Sequence, residues 1–241
     1  MPSPHTRQKL VQDLDNLGVG SGDMLFVHSS FKSLGSVEGG AETVVGALEE
    51  ALGPDGLLLM PSFNMVEPER RAPTWNVSTT SSNVGWLTEF FRRMPGTSRS
   101  DHYSHSVAAR GKEAAALVAD HLSREGYASP WDLEPWGHTY GLDSPMYRAW
   151  QAGGKILMLG VDYESSTYIH FVEVIHWNRH LECDPAVYPA VDRVALGAYW
   201  ERAGRLQRGQ VGDAECRLFP IQDFVSSLLE EVERDLESYL I

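Results

Sequence analysis

The amino-acid sequence predicts an α/β fold in which a central, mainly parallel or mixed sheet is flanked by helices. Three short apolar runs rich in strand-forming residues indicate buried strands: 24–28 (MLFVH), 57–60 (LLLM) and 155–160 (KILMLG). An amphipathic helix is predicted over 41–52, between the first two runs. A strand, a loop, a helix and a second strand within about 40 residues form a βαβ pattern, which favours a parallel strand pair.

Further helices and loops are predicted around these strands. The stretch 106–111 (SVAARG) suits a strand of small residues, and the polar stretch 62–83 predicts a long loop. Residues 127–144 contain several aromatic side chains and predict a loop near a pocket. Helical spacing of apolar residues also occurs over 6–17, 84–94, 112–121 and 145–152.

The sequence changes character after His180. Residues 187–200 are β-branched and aromatic and predict strands, whereas 201–219 predict a hairpin or loop. Residues 221–240 keep one apolar face and predict a terminal helix. No internal repeat or linker interrupts the chain. We therefore expect one domain over 1–241, with a core over 1–180 and a peripheral C-terminal strand and helix region over 181–241.

Composition excludes several classes of function. The 241 residues include 20 Lys and Arg against 33 Asp and Glu, which gives a net charge of −13. Phosphate backbones require a basic surface, so nucleic acid is not an expected partner. Cys183 and Cys216 have neither metal-site spacing nor a disulfide framework. The N-terminal stretch lacks the apolar segment of a signal peptide, and no run is long enough to span a membrane, so we expect a cytoplasmic protein without a membrane partner.

The strand at 155–160 leads into the most informative motif. Thr167, His170 and Glu173 follow it at intervals of three residues, and Asp162 and the serines at 165–166 can cap a helix that carries them. Open α/β sheets bind ligands at the carboxyl ends of their strands. Histidine is the usual proton acceptor near neutral pH, and a neighbouring carboxylate fixes its tautomer. The spacing alone also fits an ordinary helix histidine.

Two other constellations are less specific. The loop 28–35 (HSSFKSLG) lies between a strand and a helix, where small residues allow backbone N–H groups to approach an anion, but it lacks the P-loop glycine and lysine pattern. The histidines at 102, 105, 176 and 180 lack the H-E-x-x-H spacing, so no metal site is predicted.

Six sequence blocks together resemble the aminoglycoside 3-N-acetyltransferase family, and they occur in the family's order over roughly three quarters of the chain. The blocks are VHSSFKSLGSVEGGAETVVGAL (27–48), LGPDGLLLMPSF (52–63), VGWLTEFFRRMPGTSRSDH (84–102), SVAARG (106–111), DSPMYRAWQAGGKILMLGV (143–161) and T-x-x-H-x-x-E (167–173).

The resemblance implies transfer of an acetyl group from acetyl-CoA, as co-substrate, to an amine of an aminoglycoside or a related small molecule, with no metal. His170 would be the base, Glu173 would orient it and Thr167 would bond near the thioester. Glu164, Asp162 and Arg110 would lie on the acceptor side. The implied contacts with CoA are His28, Ser29, Ser30, Phe31, Ser33, Leu34, Gly35, Ser106, Val107 and Ala108.

Departures from the family pattern keep alternatives open. Tyr103 and Ser104 stand where the family usually has proline and often an acidic residue, and Arg110 replaces a common apolar side chain. Arg110 could instead face CoA or an anionic group of the acceptor. The alternatives are an N-acyltransferase for a different amine, a metal-dependent amide hydrolase using His102, His105 or His176, and a non-catalytic CoA-binding protein. A homodimer is possible.

Overall fold

The structure, a computed structural model, describes residues 3–180 and 182–241. Met1, Pro2 and Leu181, which belong to the predicted domain, lie outside these residues. The strands of the described chain are β1 (Met24–Ser29), β2 (Leu57–Pro61), β3 (Ser98–Arg99), β4 (Val107–Gly111), β5 (Gly126–Tyr127), β6 (Tyr140–Gly141), β7 (Lys155–Leu159), β8 (Gln207–Val211) and β9 (Ala214–Pro220). Seven of them form one sheet in the order β3-β4-β2-β1-β7-β9-β8, and β5 pairs with β6.

The sheet is parallel at its centre and antiparallel at both edges. Strand β1 runs parallel to β2 and to β7, in the registers Leu25↔Leu58 and Phe26↔Ile156. Strands β4 and β9 pair antiparallel with β2 and β7. The predicted mixed sheet is confirmed, including the strand expected near 106–111. The C-terminal hairpin β8–β9 extends this sheet at one edge.

Helices cover both faces of the sheet. Those of the described chain are α1 (Arg7–Leu17), α2 (Gly40–Leu52), α3 (Pro68–Thr74), α4 (Trp86–Arg93), α5 (Ala114–Val118), α6 (Pro145–Gln151), α7 (Thr167–His180), α8 (Arg193–Ala203) and α9 (Ile221–Asp235). Alternate residues of β1 point to opposite sides, as the period of two in a strand requires. Leu25 and Val27 join a buried cluster with α1, α2 and α4, whereas Phe26 joins another with α5 to α9. Both faces are therefore buried, which explains why the central strands are continuously apolar.

Helix α7 begins close to the carboxyl end of β7. Asp162 caps the intervening 3₁₀ turn Tyr163–Ser165 by accepting a hydrogen bond from the backbone N–H of Glu164 at 3.1 Å. Gly160 starts this connection with φ of 66°, and a Cβ there would lie 1.7 Å from Ser33 Oγ. Glycine is therefore required where the end of β7 meets the turn Phe31–Leu34.

The strand predicted over 187–200 is wrong, because this stretch contains helix α8. The Asp192 carboxylate accepts hydrogen bonds from the backbone N–H groups of Val194 and Ala195 at 3.0 and 2.9 Å, which begins the helix. Gly197 then permits close packing, since a Cβ there would lie 2.2 Å from the Tyr163 ring. This N-cap and the tertiary packing override the β-propensity of the side chains.

Smaller differences concern the loops and helix lengths. The predicted loop over 62–83 contains α3, and the helix expected over 112–121 is limited to α5. The terminal helix α9 ends at Asp235 rather than at residue 240. Among the described residues, no helix has the length and apolar character needed to cross a membrane.

Buried histidines join the β3–β4 region to the aromatic loop over 127–144. The rings of His102 and His121 stack with their centroids 4.5 Å apart. His121 Nε2 donates to the Thr139 carbonyl at 3.0 Å, so its Nδ1 accepts from Ser100 Oγ at 3.0 Å. Burial lowers the pKa of His121 to about 4 and holds that of His102 well below its usual value. Both rings are therefore neutral in the fold near pH 7.

This burial predicts a loss of stability in mild acid. Because the pKa of His121 is about 4 in the fold and 6.5 in an unfolded, solvated chain, the unfolded state binds more protons between these values. The free energy of unfolding should fall as the pH drops from 6.5 towards 4, by at most about 1.4 kcal/mol per pH unit for each such histidine.

Urea unfolding at pH 7, 6 and 5 measures this slope. The His121→Gln variant should show a shallower slope than the wild type, whereas His180→Gln, at an exposed position on α7, should retain the wild-type slope. If the free energy of unfolding depended on pH equally in the wild type and in His121→Gln, buried His121 would not be the cause of the acid sensitivity.

Candidate active site

A cavity of about 410 Å³ lies at the carboxyl ends of β1 and β2 and beside the start of α7. Side chains from the strand ends, from the stretch 62–83, from the aromatic loop and from α8 surround it. This is the place where open α/β sheets bind ligands. Its lining residues are His28, Ser29, Pro61, Phe63, Met65, Arg71, Val84, His105, Trp131, Glu164, Ser165, Ser166, Thr167, His170 and Arg193.

The structure brings His170 and Glu173 together on α7. His170 Nδ1 lies 2.7 Å from Glu173 Oε2, and Glu173 is only 2% exposed. Two further donors hold the carboxylate: Tyr188 Oη donates to Oε2 at 2.9 Å, and the Val191 backbone N–H donates to Oε1 at 2.8 Å. Burial and the nearby Glu173 raise the pKa of Tyr188, so its hydroxyl remains a donor. These contacts fix the carboxylate beneath the imidazole.

Arg193 approaches the opposite nitrogen of His170. Arg193 Nη1 lies 3.0 Å from His170 Nε2, and Nη2 forms an ion pair with Glu164. A guanidinium group only donates hydrogen bonds, so Nε2 is the acceptor in this contact. The remaining ring proton therefore lies on Nδ1 and points to Glu173. The arrangement sets the neutral tautomer whose Nε2 lone pair faces the cavity.

Buried groups on the strand side provide further polar contacts. Burial lowers the pKa of His28 to about 3, and its Nε2 accepts a long hydrogen bond from the Thr167 backbone N–H at 3.4 Å. The hydroxyls of Ser29 and Ser166 are buried at the cavity wall and have no hydrogen-bond partner within residues 3–180 and 182–241. Buried hydroxyls are normally paired, so these two can bind polar atoms of a ligand.

An aromatic wall closes another side of the cavity. The Trp131 ring lies edge-to-face with the His170 ring at a centroid distance of 5.2 Å and contacts His105 at 5.1 Å. Burial and neighbouring His170 keep the pKa of His105 well below its usual value. The predicted position of the aromatic loop beside a pocket is confirmed at Trp131.

A second cavity of about 600 Å³ lies beyond Ser165, which lines both cavities. Ser30, Ser33 and Asp162, all predicted as site residues, lie here. The charged residues of its wall are Asp162, Asp213, Glu215 and Arg217.

The structure corrects the placement of Arg110. Its register with Leu58 puts it towards the amino-terminal half of β2, away from the cavity. Its Nε donates to Glu49 at 2.6 Å and its Nη1 donates to the Pro95 carbonyl at 2.6 Å. Arg110 therefore stabilises the packing of β4 against α2 and lies outside the walls of both cavities.

Several predicted CoA contacts also lie outside the two cavity walls. Leu34, Val107 and Ala108 are fully buried in the core, so their side chains offer no surface to a ligand. Ser106 is equally buried, and its hydroxyl donates to the Ser100 carbonyl at 2.7 Å. Phe31 instead packs on the exposed ring of Trp86 at 4.7 Å, and Gly35 adopts a positive φ of 75° beside Asp213.

The histidines considered for a metal site are separated from this cavity or already engaged. His102 Nδ1 accepts from the backbone N–H of Ser104 at 3.2 Å, and His105 Nδ1 pairs with Ser104 Oγ at 2.7 Å. In the described part of the chain, one group of three potential ligands is close enough for an ion: His176, His180 and Glu233. It does not line the cavity.

The sequence prediction missed several residues of the site, among them Arg193, Tyr188 and Arg71. Arg193 and Tyr188 follow α7 in the stretch where strands were expected, and no spacing connects them to the motif 167–173. Asp192 was the available signal, because an aspartate before an apolar-periodic segment can start a helix. Arg71 lies in the predicted long loop, and a long loop in a compact domain is usually either functional or mobile.

Comparisons with known proteins show which family the chain is similar to. The sequence model of the family "Aminoglycoside 3-N-acetyltransferase" matches residues 26–233. Aminoglycoside N(3)-acetyltransferase VII of Streptomyces paromomycinus is 32% identical over 270 residues, covering 92% of this chain and 89% of the relative.

Solved structures show the same fold. The crystal structure of aminoglycoside acetyltransferase AAC(3)-IVa, an apoenzyme, superposes with a TM-score of 0.81 at 28% identity and covers 100% of this chain and 93% of that one. AAC-IIIb in a binary complex with CoASH gives a TM-score of 0.77 at 25% identity, covering 96% and 97%. The chain belongs to the aminoglycoside 3-N-acetyltransferase family and is an acyltransferase.

Proposed function

We propose that this acyltransferase uses acetyl-CoA as co-substrate to acetylate an amine, and that His170 is the general base. The observation that carries the proposal is the pairing of His170 with buried Glu173, because it directs the Nε2 lone pair into the cavity. The bound CoASH of the relative AAC-IIIb supports the choice of co-substrate. The names of the relatives make an aminoglycoside the first acceptor to test.

The residues around the cavity fit the thioester end of the co-substrate. The unpartnered hydroxyls of Ser29 and Ser166 can bond the thioester carbonyl or a pantetheine amide, and Thr167 lies beside them. Acetyl-CoA supplies an acetyl carbon that is activated towards attack by nitrogen. The second cavity presents three carboxylates against Arg217, which is unfavourable for a pyrophosphate, so we limit the proposed contacts to the thioester end.

The proposed proton transfers centre on one atom. An alkyl ammonium must lose a proton before its nitrogen can attack, and His170 Nε2 would accept that proton. The C–N bond forms as the C–S bond breaks, and His170 would return the proton to the departing sulfur. The nitrogen, which carries two hydrogens when it attacks, gives up its second proton to solvent as the amide forms. Glu173 would hold the ring in the required tautomer and stabilise its charged form during the transfer. Binding both substrates in one cavity lowers the entropic cost of bringing the amine to the thioester carbon.

Replacement of His170 tests the base directly. His170→Ala should lower kcat by about 100-fold or more, since general base catalysis typically contributes this much. Acetyl-CoA turnover is followed by thiol release, and CoA binding is followed by calorimetry. CoA affinity should remain close to that of the wild type, because the ring does not supply the thioester hydrogen bonds.

His180→Ala is the matched control, because His180 lies on the same helix but is exposed and outside the cavity wall. It should retain wild-type kcat. Near-normal turnover by His170→Ala would exclude the proposed base.

Glu173→Gln tests the support of the imidazole. The carboxylate accepts from His170, Tyr188 and Val191, and an amide NH₂ would face at least one of these donors in either orientation. We expect a fall in kcat of about 100-fold with little change in the KM for acetyl-CoA, because the tautomer is no longer fixed.

Tyr188→Phe removes one donor and retains the carboxylate, so its kcat should fall only about 3–10-fold, as expected for one hydrogen bond of about 1 kcal/mol. Circular dichroism checks that both variants remain folded. An equal loss of kcat in folded Glu173→Gln and folded Tyr188→Phe would contradict the proposal that the carboxylate matters more than its hydrogen bond from Tyr188.

A further inference from the structure

Arg193 occupies the position that an acceptor amine requires. Its guanidinium donates to His170 Nε2 at 3.0 Å and forms an ion pair with Glu164. In the proposed reaction the amine must reach the same nitrogen. Glu164 is also the one carboxylate among the described residues that line this cavity.

Arg193 must therefore move before His170 can act. Nε2 cannot accept a proton from an amine while its lone pair accepts a hydrogen bond from Arg193. The guanidinium stays charged in proteins and cannot give its proton to solvent instead. Because its side chain is only 25% exposed, Arg193 needs a new anionic partner when it leaves Glu164 and His170.

The charged groups at the cavity offer no surplus of negative charge to a purely cationic ligand. Arg71 and Arg193 line the cavity with two positive charges, against Glu164 at the wall and the buried Glu173 carboxylate beneath His170. Arg71 Nε donates to the Val66 carbonyl at 2.8 Å, and the described residues provide it with no ion pair. The charges at the site therefore balance, in a chain whose net charge is −13.

We propose that the acceptor carries an acidic group beside its amine, and that Arg193 determines this specificity. The inference rests on the proposed function, since it concerns the same cavity and the same base. The ammonium of the acceptor would take the place of Arg193 at Glu164 and His170, and its carboxylate or phosphonate would pair with Arg193. Each charge released from the Arg193–Glu164 pair then regains an opposite charge.

An acceptor whose second group is neutral or cationic would not provide Arg193 with a new partner. A simple alkylamine would separate Arg193 from Glu164 and leave the guanidinium unpaired in a largely buried position, which is costly. A diamine or a polyamine would add a second positive charge next to Arg193 and Arg71. An amino acid or an aminophosphonate satisfies both partners at once.

Matched acceptors of similar length test the inference in a thiol-release assay with acetyl-CoA. The panel contains 5-aminopentanoate, 3-aminopropylphosphonate, pentylamine, 1,5-diaminopentane and an aminoglycoside. We expect kcat/KM to be at least 10-fold higher for the better of the two acidic acceptors than for pentylamine or diaminopentane. The ratio between the two acidic acceptors distinguishes a carboxylate from a phosphonate.

Variants of Arg193 identify the source of the preference. Arg193→Gln should lower kcat/KM for the acidic acceptor by about 10–100-fold through KM and raise that for pentylamine, because the base is no longer covered. Arg193→Lys should retain part of the preference, since it keeps the charge. Arg179→Gln removes an exposed arginine from α7 and should behave as the wild type.

The outcomes separate the two proposals. A preference for the diamine or the aminoglycoside, or an equal loss for all acceptors in Arg193→Gln, would overturn the role of Arg193. If the wild type turned over no acceptor, the proposed function would fail. The role of Arg193 would then be tested by saturation-transfer NMR. We expect 5-aminopentanoate or 3-aminopropylphosphonate to bind the wild type and not Arg193→Gln. Equal binding to both proteins would overturn the inference.

Discussion

The buried carboxylate of Glu173 is the constraint on which the site depends. Its three donors come from different parts of the chain: His170 from the same helix, and Tyr188 and Val191 from the segment that follows α7. Loss of the carboxylate would leave these donors unpaired in a buried place, at a cost of about 1–3 kcal/mol for each one. The same contacts that orient the imidazole therefore hold the segment leading to α8, and thus Arg193, over the cavity.

The surroundings of His170 reinforce this arrangement. Strand β1 ends at His28 and Ser29, while helix α7 brings Thr167 and His170 to the same edge of the sheet. His28 stays neutral because burial lowers its pKa to about 3, and Trp131 covers the imidazole from the other side. The groups packed against His170 leave its side chain 25% exposed, so its hydrogen bonds are partly shielded from solvent.

The sequence predicts those parts of the site that local patterns determine. Apolar runs identified β1, β2 and β7, and the spacing of Thr167, His170 and Glu173 located the helix that carries the proposed base. Contacts between segments that are distant in the sequence leave no periodic pattern from which they could be predicted. Arg193 reaches His170 from a stretch whose β-propensity was overridden by the Asp192 cap. The family resemblance placed Arg110 at the site. The sequence could not correct this placement, because the end of the sheet that Arg110 approaches depends on the register between β4 and β2.

Net charge is a poor guide to the acceptor for a physical reason. The charge of −13 is spread over the whole surface, and at physiological salt exposed charges are screened beyond about 8 Å. In the proposed function the acceptor is bound by the few groups at the cavity, where Arg71 and Arg193 stand against Glu164 and the buried Glu173. The acidic groups of Asp162, Asp213 and Glu215 lie in the neighbouring cavity, beyond Ser165. A ligand that spans both cavities would thus meet balanced charges beside His170 and mainly negative charge farther out, so the position of each charge along the acceptor matters more than their sum.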